Sequence, residues 1–511
     1  MKKRINLTTA LRPMLIISLL IILYHDHRIF AAEIPVWSVY EVTFQGEHYS
    51  IESNPVRDIE LVTVWQHTQS RETIEIYGFY DGNGKGSPVG NCFKTRFCPD
   101  KKGEWILMRV SSNDKKLQGQ HVGLTVQAVT SKNPGFWIVD AMSSGHRWYK
   151  RSDGSHPYIT GNTMYTFLSE FYKDKPTGCT IKDDILNNSP YYKKIRFAVT
   201  ADRYPNPVSK PFLDKYGKPT DDGNYSYRPN PEWFYNRVDL AINTAYEKDL
   251  IADLILNGPD TEMSRSVLKA GKNNADATPF LKYIAARYGS YPNVWICLSN
   301  EFDIKKPLYK PEEIIKFGKT IHKYLPYNTP VSVHAVADWN KKLNSSTSWF
   351  DHVIVQSKLK KLDKSADKII WNYHQGGSNH PVVNDELAYQ GKGDGWTEQD
   401  VIEAFTGAFM GGGYASTGYK PANKDGHYFS GNFNPEEHTA SDNIKWFREI
   451  IDKNISFWEM APVEIMNTDF IIKGNHGSRI RIMEYPGYEY LVACSSSEES
   501  LTAQLPHGDG T

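Results

Sequence analysis

The stretch "NVWICLSNEFD", Asn293 to Asp303, runs from an apolar segment straight into polar and acidic residues. A short apolar run of this kind reads as a strand buried on both faces, the pattern of a parallel sheet. An Asn-Glu pair has no place in such a core. It is at home just beyond the C-terminal end of a parallel strand, where α/β proteins build their sites.

Working outward, seven further segments share the pattern: "HPYITGN" (156–162), "KKIRFAVT" (193–200), "IADLILN" (251–257), "VSVHAV" (331–336), "HVIVQS" (352–357), "PVVNDE" (381–386) and "AFMGGGYAS" (408–416). Helical stretches separate them. "NPEWFYNRVDLAINTAYEKDL" carries Pro near its start, "PEEIIKFGKTIHKYL" repeats apolar residues at helical spacing, and "TEQDVIEAFTGAFM" opens with a T-x-x-D cap. Eight strands alternating with helices predict an α/β fold, a (β/α)8 TIM barrel, over residues 133–458.

The flanks differ. From Glu33 to Gln127 short alternating runs are broken by turn clusters such as "DGNGKGSPVGN", which predicts a β-sandwich over residues 33–132. The linker "TSKNPG" is short and lacks a Gly/Ser tract, so sandwich and barrel are expected to share a sizeable interface. Residues 459–511 read as a partial C-terminal β segment, truncated or leaning on the barrel. Residues 1–32 combine a basic start, an apolar run from Met14 to Leu23 and small residues at Ala31 and Ala32. They read as a signal peptide for export, periplasmic or extracellular, with an uncleaved anchor as the rival; after cleavage no stable membrane insertion is expected.

Composition narrows the function. Lys plus Arg (59) equals Asp plus Glu (59), so no broad positive field is available for phosphate neutralisation, and nucleic acid is not an expected partner. Aromatic residues make up 13% of the chain, enough to line a groove for sugar rings as well as to fill cores. Five scattered cysteines without CxxC or Cys/His clusters predict no metal site, no cofactor and mostly free, buried thiols.

Two acids fall where chemistry is expected: Glu301 ends the fourth strand and Glu386 the seventh. Hydrolysis of a glycosidic bond needs one acid to protonate the leaving oxygen and one carboxylate to attack or stabilise the anomeric carbon. Asp385 is the alternative to Glu386. The triplet Gly411 to Gly413 is no phosphate loop, lacking the strand–GxxxxGK[ST]–helix order; in an eighth strand it would let backbone approach sugar or neighbours closely.

"LSNEFD" and "HPVVNDELAYQ" resemble the acid/base and nucleophile signatures of retaining clan A glycoside hydrolases, most closely the apiosidase-like barrels. "HPYITGNTMYTFLSEFY" resembles the first-strand segment of that group, with Asn162 where many members carry Asp, and "VSVHAVADW" with "WFDHVIVQS" resembles its fifth and sixth strands. "IYGFYDGNGKG" and "KTRFCPDKKGEWILMRVSS" resemble the immunoglobulin-like module that precedes such barrels. The resemblance implies Glu301 as acid/base, Glu386 as nucleophile and Asn300 as donor to a substrate hydroxyl, and it brings His334 and Gln356 towards the site. Arg196 is a candidate for holding the nucleophile ionised, Asp202 and Asp260 for gripping sugar hydroxyls, and Tyr165 and Tyr389 for stacking or hydroxyl contacts. The expectation is a secreted glycoside hydrolase acting on a polysaccharide or oligosaccharide. A non-catalytic carbohydrate-binding barrel is the alternative, and a lyase or transglycosylase would use similar residues.

Overall fold

The computed structural model describes residues 32–511 apart from 201–202, 224–227, 259, 269–275, 337–341, 344–347, 421–430, 464–470, 474–479, 496–501 and 505–511. The proposed export signal and Asp202 lie outside the described residues. Among these residues no helix is long and apolar enough to cross a membrane.

Eight parallel strands form the barrel: Thr160–Thr163, Lys194–Ala198, Ile251–Ile255, Val294–Cys297, Val331–Ser332, Val353–Val355, Val382–Asn384 and Tyr414–Tyr419. Their spatial order is fifth, fourth, third, second, first, eighth, seventh, sixth, and a parallel bridge from His334 to Ile354 joins the two ends. The strands are apolar because each is buried on both faces, and helices such as Thr278–Tyr288, Leu362–Gln375 and Glu398–Met410 cover the outside. At the N-terminal face a hairpin, Trp137–Val139 with Tyr149–Arg151, plugs the barrel with Trp148 and Tyr149 packed against Trp295 and Tyr414. The opposite mouth of the barrel, at the C-terminal ends of the strands, stays open.

The eighth strand begins later than the sequence suggests. Thr397 accepts from the Asp400 backbone N–H and Asp400 caps in return, so the helix runs on through Met410, and "AFM" ends that helix instead of starting the strand. Gly412, at φ +80°, makes the turn, and a Cβ on Gly411 or Gly413 would meet the backbone oxygen of Ala366 or Val382 at 2.6 and 2.7 Å. The triplet therefore serves a tight helix-to-strand turn against neighbouring backbone. In the same way the first strand starts at Thr160, four residues after His156.

The N-terminal region forms two sheets, one ordered 32–35, 125–129, 103–112, 61–67, 73–77 and the other 40–49, 90–97, 79–80. Alternate residues from both fill a shared core, with Trp65 stacked on Phe97 at 4.4 Å. This β-rich unit is bolted to the barrel by buried charge. Asp239 accepts from Arg287 (2.7 and 2.9 Å) and from Arg96 of the sandwich (2.7 Å), and Arg287 also reaches Asp81 of the sandwich at 2.7 Å. The C-terminal hairpin, Ile480–Tyr485 with Glu489–Cys494, leans on the barrel, where Arg481 pairs with Asp367 at 2.9 Å. All five cysteines are free; Cys92, Cys98 and Cys297 are buried, Cys179 is half-buried and Cys494 exposed.

Candidate active site

A cleft of about 160 Å³ opens at the C-terminal mouth of the barrel, and Glu301 and Glu386 both line it, together with Asn300, Gln356, Tyr165 and Tyr389. A larger hollow, about 640 Å³, lies at the seam between sandwich and barrel. Its two carboxylates, Glu41 and Asp239, are both tied to Arg96, and it lies away from the strand ends. The mouth is therefore the better candidate for chemistry.

Glu386 is held from both sides. The Tyr165 hydroxyl donates to its Oε1, and Gln356 Nε2 donates to its Oε2 at 2.6 Å. Arg196 does not bond the carboxylate; its Nη1 lies 3.3 Å from the Tyr165 hydroxyl, so its influence on Glu386 passes through that tyrosine. Tyr389 joins the chain at 3.3 Å from the same hydroxyl. Two donors fixed by packing leave the carboxylate one orientation, facing the cleft.

Glu301 sits four residues beyond the fourth strand with φ +45°, a left-handed backbone that costs a non-glycine residue of order 1–3 kcal/mol. A fully buried arginine holds it there. Arg265, from the short helix Glu262–Arg265, donates to the carbonyls of Asn300, Glu301 and Lys305 at 2.8, 2.8 and 2.9 Å. Lys305, one turn on, places its ammonium against Glu301 Oε2 and donates to Asp260 at 2.6 Å. Burial opposes the Lys305 charge, but Asp260 and Glu301 outweigh it and hold the ammonium above its ordinary range.

Asn300 is oriented by the layer beneath. Its Oδ1 accepts from Arg196 Nη2 at 2.6 Å and faces His334 Nδ1 at 2.7 Å. Burial, with Arg196 alongside, pushes His334 down to about 3, so the ring is neutral and carries its proton on Nδ1 to meet that oxygen. With the amide oxygen taken twice, the Asn300 NH₂ is the group left to donate into the cleft. His334 itself is fully buried and acts from below, not as a wall of the cleft.

Two sequence expectations move and a third holds. Asn162 is not in the cleft: Gly161 and Thr163 turn towards the barrel interior, so strand alternation sends Asn162 outward, where its Nδ2 donates to Asn188 at 2.7 Å. Asp385 is a fully buried ion-pair partner of Lys194 and accepts from Ser416 at 2.7 Å. Burial would raise its carboxyl, but Lys194 and Arg196 hold it below its usual range, and it lies under the floor of the site with no route to a sugar. Asp260 does line the cleft, with Lys305 as its partner. Among the described residues no group of three or more His, Cys, Asp or Glu is arranged to hold a metal ion.

Residues 33–111 match a domain of unknown function, DUF5060. Residues 199–419 match the apiosidase-like catalytic domain. That match, on a barrel with two acids at its mouth, makes the chain a glycoside hydrolase. Among solved structures it is similar to a protein of Bacteroides vulgatus ATCC 8482 proposed to be a glycoside hydrolase, at 22% identity and TM-score 0.67, covering 87% of this chain and 84% of that one. A family 5 glycoside hydrolase of the same organism aligns at 15% identity and TM-score 0.52, covering 70% and 79%. At these identities the likeness is one of fold. No curated protein matches the chain.

Barrel residues that sequence reading missed are the clamp Arg265 and the cleft lysines Lys305, Lys358 and Lys420. Lys305 had a signal, one helical turn after Glu301 in "NEFDIK". The others had none, since a lysine beyond a strand end is ordinarily solvated.

Proposed function

We propose that the chain hydrolyses glycosidic bonds by double displacement with retention, Glu386 attacking the anomeric carbon and Glu301 serving as general acid and then general base. The observation that carries this reading is the convergence of the two carboxyl groups on one cleft, in opposite settings. Glu386 receives two neutral donors, Tyr165 and Gln356, which aim it as a nucleophile. Glu301 stands on a strained turn beside Lys305, at the cleft where a leaving oxygen would lie. Asn300 donates to the hydroxyl next to the reacting carbon, where the bond strengthens as positive charge develops on the ring.

The test is a pair of variants. Glu386→Gln should lower hydrolysis by several orders of magnitude while oligosaccharide binding survives. Glu301→Ala should slow natural substrates, keep the first step for substrates with a good leaving group, and with added azide give a glycosyl azide of retained configuration. An azide of inverted configuration would mean the two roles are exchanged. Undiminished activity in both would move the chemistry elsewhere, and binding without turnover in the wild type would favour the carbohydrate-binding alternative. The same reading includes export by residues 1–32, which intact mass of the exported protein tests: a mature chain beginning near Glu33 is expected, and an uncleaved N-terminus would mean an anchor.

A further inference from the structure

The two sides of the cleft differ in charge. On the side of Glu301, one cation, Lys305, lies between two acids, Asp260 and Glu301. On the side of Glu386 there are two cations: Lys420 and Lys358 share the carboxylate of Asp394, at 2.7 and 3.5 Å, while Glu386 itself is bonded by the neutral donors Tyr165 and Gln356. The Lys358 contact is too long for a strong hydrogen bond. Both lysines line the cleft, and the Lys358 ammonium also lies 5.1 Å from the centre of the Tyr389 ring, which is linked through Tyr165 to the nucleophile.

These lysines are positioned, not merely present. Lys420 follows the eighth strand, and its backbone is gripped from both directions: its N–H donates to Gln390 at 2.8 Å and its carbonyl accepts from Gly393 at 3.1 Å. Lys358 follows the sixth strand, two residues beyond Gln356, the donor to Glu386. Asp394 is only 17% exposed and anchors both from behind. Among the described residues the carboxylate that pairs with Lys358 is Asp394, at 3.5 Å, so its ammonium is loosely held on the nucleophile's side, in a site where displacing water would strengthen its pull on an anion.

We propose that the sugar bound over Glu386 carries an acidic group, a carboxylate or a sulfate ester, and that Lys358 and Lys420 receive it. The inference rests on Glu386 being the nucleophile, because that places the sugar whose bond is cleaved beneath these lysines. Across the cleft Lys305 is already paired with Asp260 and Glu301, so the charge asymmetry sets the direction in which the chain lies as well as its class.

The test uses the full chain with Glu386→Gln, which holds substrate without turnover, in affinity electrophoresis against polygalacturonate, alginate and a sulfated galactan, each beside its carboxyl-reduced or desulfated form. At least one anionic polymer should retard the protein tenfold more strongly than its neutralised form, and retardation should weaken as ionic strength rises. Adding Lys358→Met or Lys420→Met should each lower that affinity by about tenfold, and Lys→Arg at the same positions should restore most of it. Which polymer binds separates carboxylate from sulfate. Equal binding of charged and neutral forms, or retardation by none of the anionic polymers, overturns the proposal. So does an equal loss in the lysine variants on neutralised polymer, since the lysines would then serve the fold or Glu386 itself. A wild type that cleaves a neutral polysaccharide, with activity lost in Glu386→Gln, would sink this inference and leave the catalytic assignment standing.

Discussion

Arg265→Leu tests how the acid/base is held. The guanidinium makes three charge-assisted hydrogen bonds to the carbonyls of Asn300, Glu301 and Lys305, within 2.9 Å. Each is worth about 1.5–3 kcal/mol. Together they exceed the ~1–3 kcal/mol by which the left-handed backbone of Glu301 is disfavoured. With the arginine the turn holds; without it the strain is no longer opposed and Glu301 should relax away from the cleft. A displacement of about 1 Å in a catalytic group costs roughly a hundredfold, or ~2.7 kcal/mol of transition-state stabilisation. The loss should depend on the substrate. For glycosides with a poor leaving group kcat/KM should fall by about that hundredfold, whereas for a dinitrophenyl glycoside, whose departing oxygen needs little protonation, it should stay within about threefold. A leaving-group series on wild type and variant reads this as a steeper dependence in the variant. Equal losses across the series, with unchanged circular dichroism, would refute the reasoning, because the arginine would then be supporting the whole site and not Glu301.

Asp239→Ala should cost about 3–5 kcal/mol, since it strands two buried guanidinium groups, Arg96 and Arg287, at the sandwich–barrel seam; denaturant unfolding should show it as an earlier or split transition. Burial would raise the Asp239 carboxyl, but Arg287 and Arg96 hold it well below the usual carboxylate range. Its contribution is therefore present above the unfolded value near pH 4 and is lost as pH falls towards the folded one, so the penalty of the variant should shrink in acid. In a crystal structure with bound oligosaccharide the Glu301 and Glu386 carboxyl groups should stand about 5–5.5 Å apart; a separation beyond about 9 Å would point to inversion. Tyr165→Phe should lower kcat/KM by about tenfold or more, as Glu386 loses one of its two donors, and an unchanged value would show that Gln356 alone suffices to orient it.

Much of the barrel was legible because its signals are local. An apolar run ending in "SNE" or "NDE" reports burial and a strand end in the same few residues, and the caps Pro231 with Asn230 and Thr397 with Asp400 mark helix starts. Where local signals competed, the boundary slipped. "AFM" before three glycines reads equally as a strand, and the cap thirteen residues earlier, at Thr397, decided for helix.

The amino-acid order by itself determined the eight-strand alternation, the sandwich ahead of it and the two acids at strand ends, because hydrophobic period and chain position are properties of neighbours in sequence. Tertiary structure alone decided which side chains meet. Alternation along the first strand turned Asn162 outward to Asn188, closure of the barrel brought Asp385 to Lys194 across its interior, and Arg265 found three carbonyls up to 40 residues away. Lys358, Asp394 and Lys420 come from three separate loops. Charges so far apart in the chain interact only once closure of the barrel brings its strand ends to one mouth, and no local pattern records that distance.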